Sequence, residues 1–147
     1  MELKLEPLSM DAIIELYPIR RGEAETLTLD QTILLFEGIC KQGVAYTAVA
    51  DNRPIAIGGV QVIDNGVGAA IILGTDRLKE HPKEFTELMS HMVEEIMDDL
   101  QLHRVQCDVL ASKPEWVRWT KYLGFEEEGI MRKLRNNQDC VLLARVR

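Results

Sequence analysis

The order of strand-like and helix-like segments in the sequence predicts an α/β (α+β) fold, with a mixed central β-sheet flanked by helices. Seven segments have the apolar alternation or the turn-bounded apolar runs of strands, and four carry apolar residues at helical spacing. They follow one another as β-α-α-β-β-β-α-β-α-β-β. With 147 residues, 46% of them hydrophobic, and no linker or internal repeat, the chain is expected to form one domain over residues 1–147.

The first elements are a short strand and two helices. Ser9 is a suitable N-cap for a helix that must end before Pro18, because the residue before a proline disfavours helical geometry. Thr28 and Gln31 have the spacing of a capping box, which predicts the start of a second helix. Gly43 is expected to end that helix.

Three strands joined as a meander are predicted for the middle of the chain. Residues 45–50 and 54–63 are joined by a turn at residues 51–52, Asp-Asn. Residues 65–66, Asn-Gly, are a strong two-residue hairpin signal that leads into a third strand over residues 67–73.

The longest helix is expected from about Pro82 to Leu100, because an apolar stripe continues there for more than four turns. Methionines at this spacing far more often pack in a core than form a binding surface. We therefore expect Met89, Met92 and Met97 to be core residues.

The stretch from His103 to Arg132 predicts a strand, a helix and a second strand in close succession. Apolar and polar residues alternate over residues 104–109, as in a strand with one apolar face. Ser112 can cap a following helix that has Pro114 in its first turn. The apolar face of that helix comprises Trp116, Val117, Trp119, Thr120 and Leu123. Gly124 ends the helix, and a last strand is expected over residues 139–146.

This strand, short helix, Leu-Gly-Phe and Glu-Gly-x-x-Arg succession resembles the C-terminal half of the GCN5-related N-acetyltransferases. The matching residues are Leu123, Gly124, Phe125, Glu128, Gly129 and Arg132. The predicted element order is also the order of that family. The resemblance implies that the strands over residues 67–73 and 104–111 are adjacent and splayed. They should also be parallel, because a crossover helix joins them.

The resemblance further implies a cofactor, acetyl-CoA, at the splay. Its pyrophosphate would be held by backbone N–H groups of the loop that enters the long helix, here LGTDRLKEHP. The family's glycine pattern is absent from this loop. The candidate cofactor-binding residues are Leu73, Gly74, Thr75, Arg77 and Lys79. An ordinary solvated polar loop before a helix would look the same.

Candidates for acid and base chemistry are few. The family commonly places a tyrosine, the acid for the leaving thiolate, four residues before the glycine of Leu-Gly-Phe, and Thr120 stands there. An aliphatic hydroxyl is a far poorer acid than a phenol, and Tyr122 lies on another side of the predicted helix. Asp108 is the candidate general base, because it lies on the strand that flanks the splay, on the face opposite to Val105 and Val109. It could equally be an ordinary polar strand residue.

The composition of the chain limits which partners, ligands and cellular locations can be expected. A net charge of −7 argues against a nucleic-acid partner, and no segment is long and apolar enough to predict a membrane partner or a signal peptide, so we expect a cytoplasmic protein. The three histidines have no metal-ligand spacing, and no metal is expected. Cys40, Cys107 and Cys140 sit in apolar runs and are predicted to be buried thiols.

Two functions of different class remain open. The first is an acyl-CoA-dependent N-acetyltransferase that transfers an acetyl group to a primary amine of a small molecule or a protein. The second is a non-catalytic protein of the same fold, with a protein partner. Residues from about 69 to 146 also resemble acetyltransferase-like proteins of tailed bacteriophages, some associated with virion assembly. That resemblance implies an assembly or host-interaction module in the host cytoplasm, and a homodimer is compatible with either function.

Overall fold

The fold is one seven-stranded mixed sheet with helices on both faces. The computed structural model describes residues 3–16, 28–74 and 76–147, with the side chains of Asp76 and Lys79 excepted. The described strands are β1 (Leu3–Pro7), β2 (Gly43–Ala50), β3 (Arg53–Asp64), β4 (Val67–Gly74), β5 (Arg104–Leu110), β6 (Glu126–Arg135) and β7 (Gln138–Val146). The described helices are α1 (Met10–Leu16), α2 (Leu29–Gln42), α3 (Pro82–Asp99) and α4 (Pro114–Tyr122), with a 3₁₀ helix at Asp76–Glu80. The predicted element order is confirmed.

The strands lie in the order β1-β2-β3-β4-β5-β7-β6. The first four form an antiparallel meander, and β7 is antiparallel to both of its neighbours, β5 and β6. β4 and β5 pair in parallel, with α3 as the crossover between them. A parallel pair needs such a crossover, because its strands start at the same edge of the sheet. The predicted parallel neighbours are confirmed.

The helices cover the two faces of the sheet separately. α1 and α2 pack on one face, where Phe36 and Ile39 contact Ile57 and Leu73 in one apolar cluster. α3 and α4 pack on the other face, where Met97 and Val117 join the main cluster of buried residues. We refer to these as the α1–α2 face and the α3–α4 face. Because side chains alternate along a strand, neighbouring residues of one strand belong to different faces.

Most of the helix caps predicted from the sequence are present in the structure. The Ser9 hydroxyl accepts a hydrogen bond from the Ala12 N–H at 3.2 Å, and Thr28 with Gln31 forms both bonds of the capping box. The Ser112 cap was wrong: the N-cap of α4 is Lys113, without a side-chain hydrogen bond. Proline is most favourable at the first helical position, and Pro114 therefore starts the helix one residue later than a Ser112 cap requires.

The end of α4 is built around Gly124, which has a φ of +96°. The Gly124 N–H donates to the carbonyl of Lys121, and the Phe125 N–H donates to the carbonyl of Thr120. These two bonds form a Schellman motif, which needs the left-handed conformation that glycine adopts without steric cost. Gly124 thus ends the helix as predicted and turns Phe125 into the core, where it is 5% exposed.

The cysteines and methionines only partly follow their predictions. Cys140 is buried and Cys107 is half-buried, but Cys40 is exposed, so the prediction of three buried thiols was wrong. Cys40 lies on the solvent side of α2, whose core side is formed by Phe36 and Ile39. Met97 is fully buried as predicted, and Met89 and Met92 are partly buried and pack against the same core. None of the helices in the described part of the chain is long and apolar enough to cross a membrane.

Candidate functional site

The parallel strands β4 and β5 separate soon after they begin. Only three residue pairs connect them, Val67 with Arg104, Gly68 with Val105, and Ala69 with Gln106. Beyond these pairs β4 continues to Gly74 and β5 to Leu110 without further pairing between the two strands. The backbone groups that face the gap therefore have no partner across it. The predicted splay is present.

A cavity of about 320 Å³ occupies this gap. Its walls come from the ends of β4 and β5, the 3₁₀ helix, the first half of α3, α4 and the last residue of β6. The lining residues are Ala70, Ile71, Ile72, Gly74, Leu78, Pro82, Phe85, Met89, Val93, Cys107, Asp108, Val109, Trp116, Trp119, Thr120, Leu123, Phe125 and Arg135. All but a few of these side chains are apolar.

The cavity is lined by residues from both faces of the sheet. Ala70 packs with the cluster of the α3–α4 face, whereas its neighbour Ile71 packs with the cluster of the α1–α2 face, yet both line the cavity. Cys107 likewise belongs to the α3–α4 face, which places Asp108 on the α1–α2 face by alternation. Side chains of both faces of the sheet therefore border the gap between β4 and β5.

Asp108, the predicted base, lines the cavity in an ion pair with Arg135 of β6. The guanidinium donates from Nε to Oδ2 and from Nη2 to Oδ1, the second at 3.0 Å. The pair bridges over β7, which lies between β5 and β6. Among the described residues that line the cavity, Asp108 and Arg135 are the only charged ones. The described part of the site thus combines an apolar cavity with one ion pair.

Thr120, at the position of the family's acid, also lines the cavity and is buried. Its hydroxyl donates to the carbonyl oxygen of Trp116 at 2.8 Å, one turn earlier in α4. Tyr122 is 80% exposed and is not among the lining residues. The nearby phenol therefore does not replace the missing tyrosine in this arrangement.

The residues predicted to bind the cofactor are only partly brought together. The Leu73 side chain is fully buried in the core of the α1–α2 face, so only its backbone could contact a ligand in the cavity. Gly74 lines the cavity, but Leu78 lies over it, and a side chain at position 74 would overlap the Cδ1 atom of Leu78. Thr75 lies outside the described residues, as does the side chain of Lys79.

Arg77 does not point its charge into the cavity. Its Nη1 donates to the carbonyl oxygen of Pro54 at 3.3 Å, at the start of β3, and it is not a lining residue. The N-cap of α3 is His81, which makes no side-chain capping bond, and Pro82 has no N–H to offer. The first N–H groups at this helix start are therefore those of Lys83 and Glu84.

Two aromatic rings connect α4 to the first turn of α3. Phe85 and Trp119 stack with ring centroids 5.8 Å apart. The Trp119 indole N–H donates to the Thr86 hydroxyl at 2.8 Å, and that hydroxyl donates to the Pro82 carbonyl at 2.6 Å. The contact fixes the wall of the cavity beside the loop that leads into α3.

Sequence reasoning did not find Arg135 or the Phe85 ring as site residues. Arg135 immediately precedes Asn136 and Asn137, both with positive φ, and this Asn-Asn turn was a usable signal for a strand end. Nothing in the spacing connects position 135 to Asp108, however. That contact depends on the register of β5, β7 and β6 and on the length of an arginine side chain.

The glutamate of the Glu-Gly-x-x-Arg motif has a partner outside the cavity. Arg104 donates to both carboxylate oxygens of Glu128, with Nη1 to Oε2 at 2.9 Å and Nη2 to Oε1 at 2.5 Å. Through these bonds Arg104 lowers the pKa of Glu128, and Glu128 raises the pKa of Arg104. The motif residue therefore ties β6 to β5 and is not part of the cavity.

Comparisons with known proteins rest on structure alone. A scan of the sequence against protein-family models gives no match, and a search of curated proteins gives none. Solved structures do match. A chimera of the Vibrio cholerae spermidine N-acetyltransferase SpeG with hSSAT superposes with a TM-score of 0.78 at 16% identity, covering 99% of this chain and 96% of that one.

A second structure, described as a candidate phosphinothricin N-acetyltransferase, gives a TM-score of 0.80 at 15% identity, covering 99% of this chain and 98% of that chain. Mutant forms of the Vibrio cholerae spermidine/spermine N-acetyltransferase SpeG give 0.74 at 17% identity, over 99% and 95% of the two chains. None of these bears on the resemblance to phage proteins. Together with the element order and the splay, they show that this chain has the fold of the GCN5-related N-acetyltransferases.

Proposed function

We propose that this protein is an acyl-CoA-dependent N-acetyltransferase that acts on a primary amine by direct attack. The observation that carries the proposal is the cavity at the gap between β4 and β5, which is lined by neighbouring residues of opposite faces in both strands. In the proposed arrangement a thioester approaches this gap from one face of the sheet and an amine from the other. Holding two reactants in line is itself a large part of catalysis for a bimolecular transfer.

The residues in the gap fit the pantetheine arm of acetyl-CoA better than its pyrophosphate. The apolar walls formed by Met89, Cys107 and Trp116 suit a pantetheine arm on the α3–α4 face. At the loop, Gly74 and the N–H groups of Lys83 and Glu84 could hold the pyrophosphate, in line with anion binding at helix N-termini. Close approach to Gly74 requires the Leu78 side chain to move aside.

When bound, acetyl-CoA would supply an activated thioester. The chain's own contribution begins with the backbone groups of β4 and β5 that face the gap, since preorganised N–H groups can stabilise charge that develops on a carbonyl oxygen. Asp108 lies on the opposite face and can accept the proton that the attacking ammonium loses. In the transfer a C–N bond forms and the C–S bond breaks.

The thiolate that leaves must also receive a proton. The Thr120 hydroxyl is a poor acid and already donates to the Trp116 carbonyl. The proposal therefore assigns the final protonation of the thiolate to water. A reaction that depends on positioning and not on a strong acid should be slow compared with relatives that have a phenol at this point.

A calorimetric titration of acetyl-CoA into the purified chain tests the proposal. Ala70→Leu places a larger side chain in the gap, and we expect it to weaken binding at least about tenfold, the loss of about 1.4 kcal/mol. Ala111→Leu, at an exposed turn, adds the same atoms outside the cavity and serves as the control. Failure to bind at millimolar acetyl-CoA would reject the proposal.

A second candidate function has its own support in the cofactor loop. Leu78 over Gly74, the absence of a phenol at position 120 and the Arg77 bond to Pro54 are features of a site without catalysis. They favour a non-catalytic protein of this fold, such as a phage assembly or host-interaction module. That function predicts no acetyl-CoA binding, and it also predicts that Ala70→Leu leaves the activity of the protein in its assembly unchanged.

A further inference from the structure

The charges around the cavity bear on which amines could be accepted, and this inference rests on the proposed function. Asp108 and Arg135 lie together at the cavity, in side chains that are 20% and 41% exposed. The described lining residues otherwise carry no charge. The part of the lining that the structure describes is therefore neutral in sum, with one negative and one positive group side by side.

We propose that the acceptor is a small zwitterion, an apolar α-amino acid whose ammonium group binds Asp108 and whose carboxylate binds Arg135. A carboxylate offers about four acceptor sites, and Arg135 takes two of those on Asp108, so an ammonium can still bind to the carboxylate. A guanidinium in turn prefers planar, two-pronged contacts with carboxylates. The ligand would add its own pair of opposite charges beside the existing pair.

The position of the pair fits an acceptor and not the cofactor. Asp108 faces the α1–α2 side of the sheet, opposite to Cys107 and the helices α3 and α4. A ligand bound there would reach the gap from the α1–α2 face, whereas the proposed thioester lies on the α3–α4 face. Its apolar side chain would lie against the part of Ile71 that is exposed to the cavity on the same face of the sheet.

An extended polyamine fits these charges poorly. A polyamine carries several positive charges and needs several carboxylates, whereas the described cavity wall offers one, Asp108. The cationic guanidinium would also repel it. Arg135 is therefore assigned as the specificity-determining residue for a carboxylate on the acceptor.

The test compares matched ligands on the full chain. Leucine, methionine and phenylalanine, their methyl esters, and spermidine are titrated by calorimetry into protein saturated with coenzyme A, and the same amines are then assayed with acetyl-CoA by release of thiol. We expect the amino acids to bind at least about tenfold more tightly than the esters, because the ester lacks the negative charge that forms an ion pair with Arg135. Equal binding of acids and esters, or preferred binding of spermidine, would overturn the inference.

Variants of one strand supply the controls. Arg135→Gln should lower the preference for acid over ester by about ten- to one-hundredfold, Arg135→Lys should restore part of it, and Arg132→Gln, exposed on the same strand, should leave it unchanged. If Arg135→Gln fails to fold, the acid-to-ester ratio of the native chain decides alone. Acetyl-CoA binding without amino-acid binding would overturn this inference and leave the proposed function. Absence of acetyl-CoA binding would overturn both.

Discussion

Trp119 of α4 stacks on Phe85 of α3, with the two ring planes inclined by 13°. The same indole donates its N–H to Thr86, so one side chain makes an apolar and a polar contact with the first turn of α3. Because both rings line the cavity, the contact sets the separation of the two helices where a cofactor would enter. The stability of this wall and the shape of the site are therefore coupled.

Replacing Trp119 by phenylalanine separates the two contacts. The ring stack can persist in this variant, whereas the hydrogen bond to Thr86 is lost, at a cost of about 0.5–1.5 kcal/mol in the free energy of unfolding. Trp119→Ala removes both contacts and should cost about 3–5 kcal/mol. Urea unfolding of the two variants measures the difference, and equal losses would show that the stack contributes nothing.

The orientation of α4, with Leu123 toward the core and Lys121 toward solvent, gives a second prediction. Leu123 is 4% exposed and packs in the main core, so Leu123→Ala should cost about 2–5 kcal/mol. Lys121, two residues earlier, is half exposed and pairs with Glu127 at 2.8 Å, an exposed ion pair worth at most about 1 kcal/mol. Denaturant midpoints should therefore fall far more for Leu123→Ala. Equal midpoints would contradict the observed orientation of the helix.

Local features of this fold could be predicted from the sequence, because their causes lie within a few residues. The capping box at Thr28, the turn at Gly124 and the alternation along β5 each depend on neighbouring positions. Contacts such as Asp108 with Arg135, 27 positions apart, depend instead on the register of several strands. The sequence therefore predicted the position of the gap but not the ion pair beside it.

The same distinction applies to the loop between β4 and α3, which is proposed to bind the cofactor. The position of the loop follows from the order of the elements. The absence of the family's glycine pattern can also be read directly from the sequence. That Leu78 would cover Gly74 is not visible, because it depends on how the 3₁₀ helix folds back over the end of β4. Arg77 is a similar case, since its bond to Pro54 is with a strand earlier in the chain.

The Arg104–Glu128 pair predicts a pH dependence of stability. Arg104 lowers the pKa of Glu128 in the folded chain, so the unfolded chain binds this proton more readily. The pair therefore stabilises the fold above the ordinary glutamate pKa of 4.5, and this contribution is lost as the pH falls through the lower, folded value. Glu128→Gln should remove that part of the pH dependence.

Urea unfolding of the native chain and of Glu128→Gln between pH 7 and pH 3 measures this effect. The two stabilities should differ near neutral pH and converge below the ordinary glutamate range, where the carboxyl is protonated in both states. Glu126→Gln, exposed on the same strand, is the matched control. A difference between native chain and Glu128→Gln that stays constant over this range would argue against the pair.

The three cysteines offer a direct test of the cavity, because their positions differ. Cys40 is exposed, Cys140 is fully buried, and Cys107 is half-buried at the cavity wall. Small alkylating reagents react with thiolates that they can reach, so Cys40 should be modified first, Cys107 more slowly and Cys140 only on unfolding. Mass spectrometry of digested protein gives the three rates separately.

Saturating acetyl-CoA should slow the modification of Cys107 and leave that of Cys40 unchanged. The expected protection follows from the position of Cys107 on the α3–α4 face of the gap, where the proposed pantetheine arm would cover its sulfur. Cys40 lies on α2, away from the lining residues, and reports any general effect of the ligand on the reagent. If acetyl-CoA binds by calorimetry and Cys107 still reacts at its original rate, the cofactor does not pass through the gap between β4 and β5.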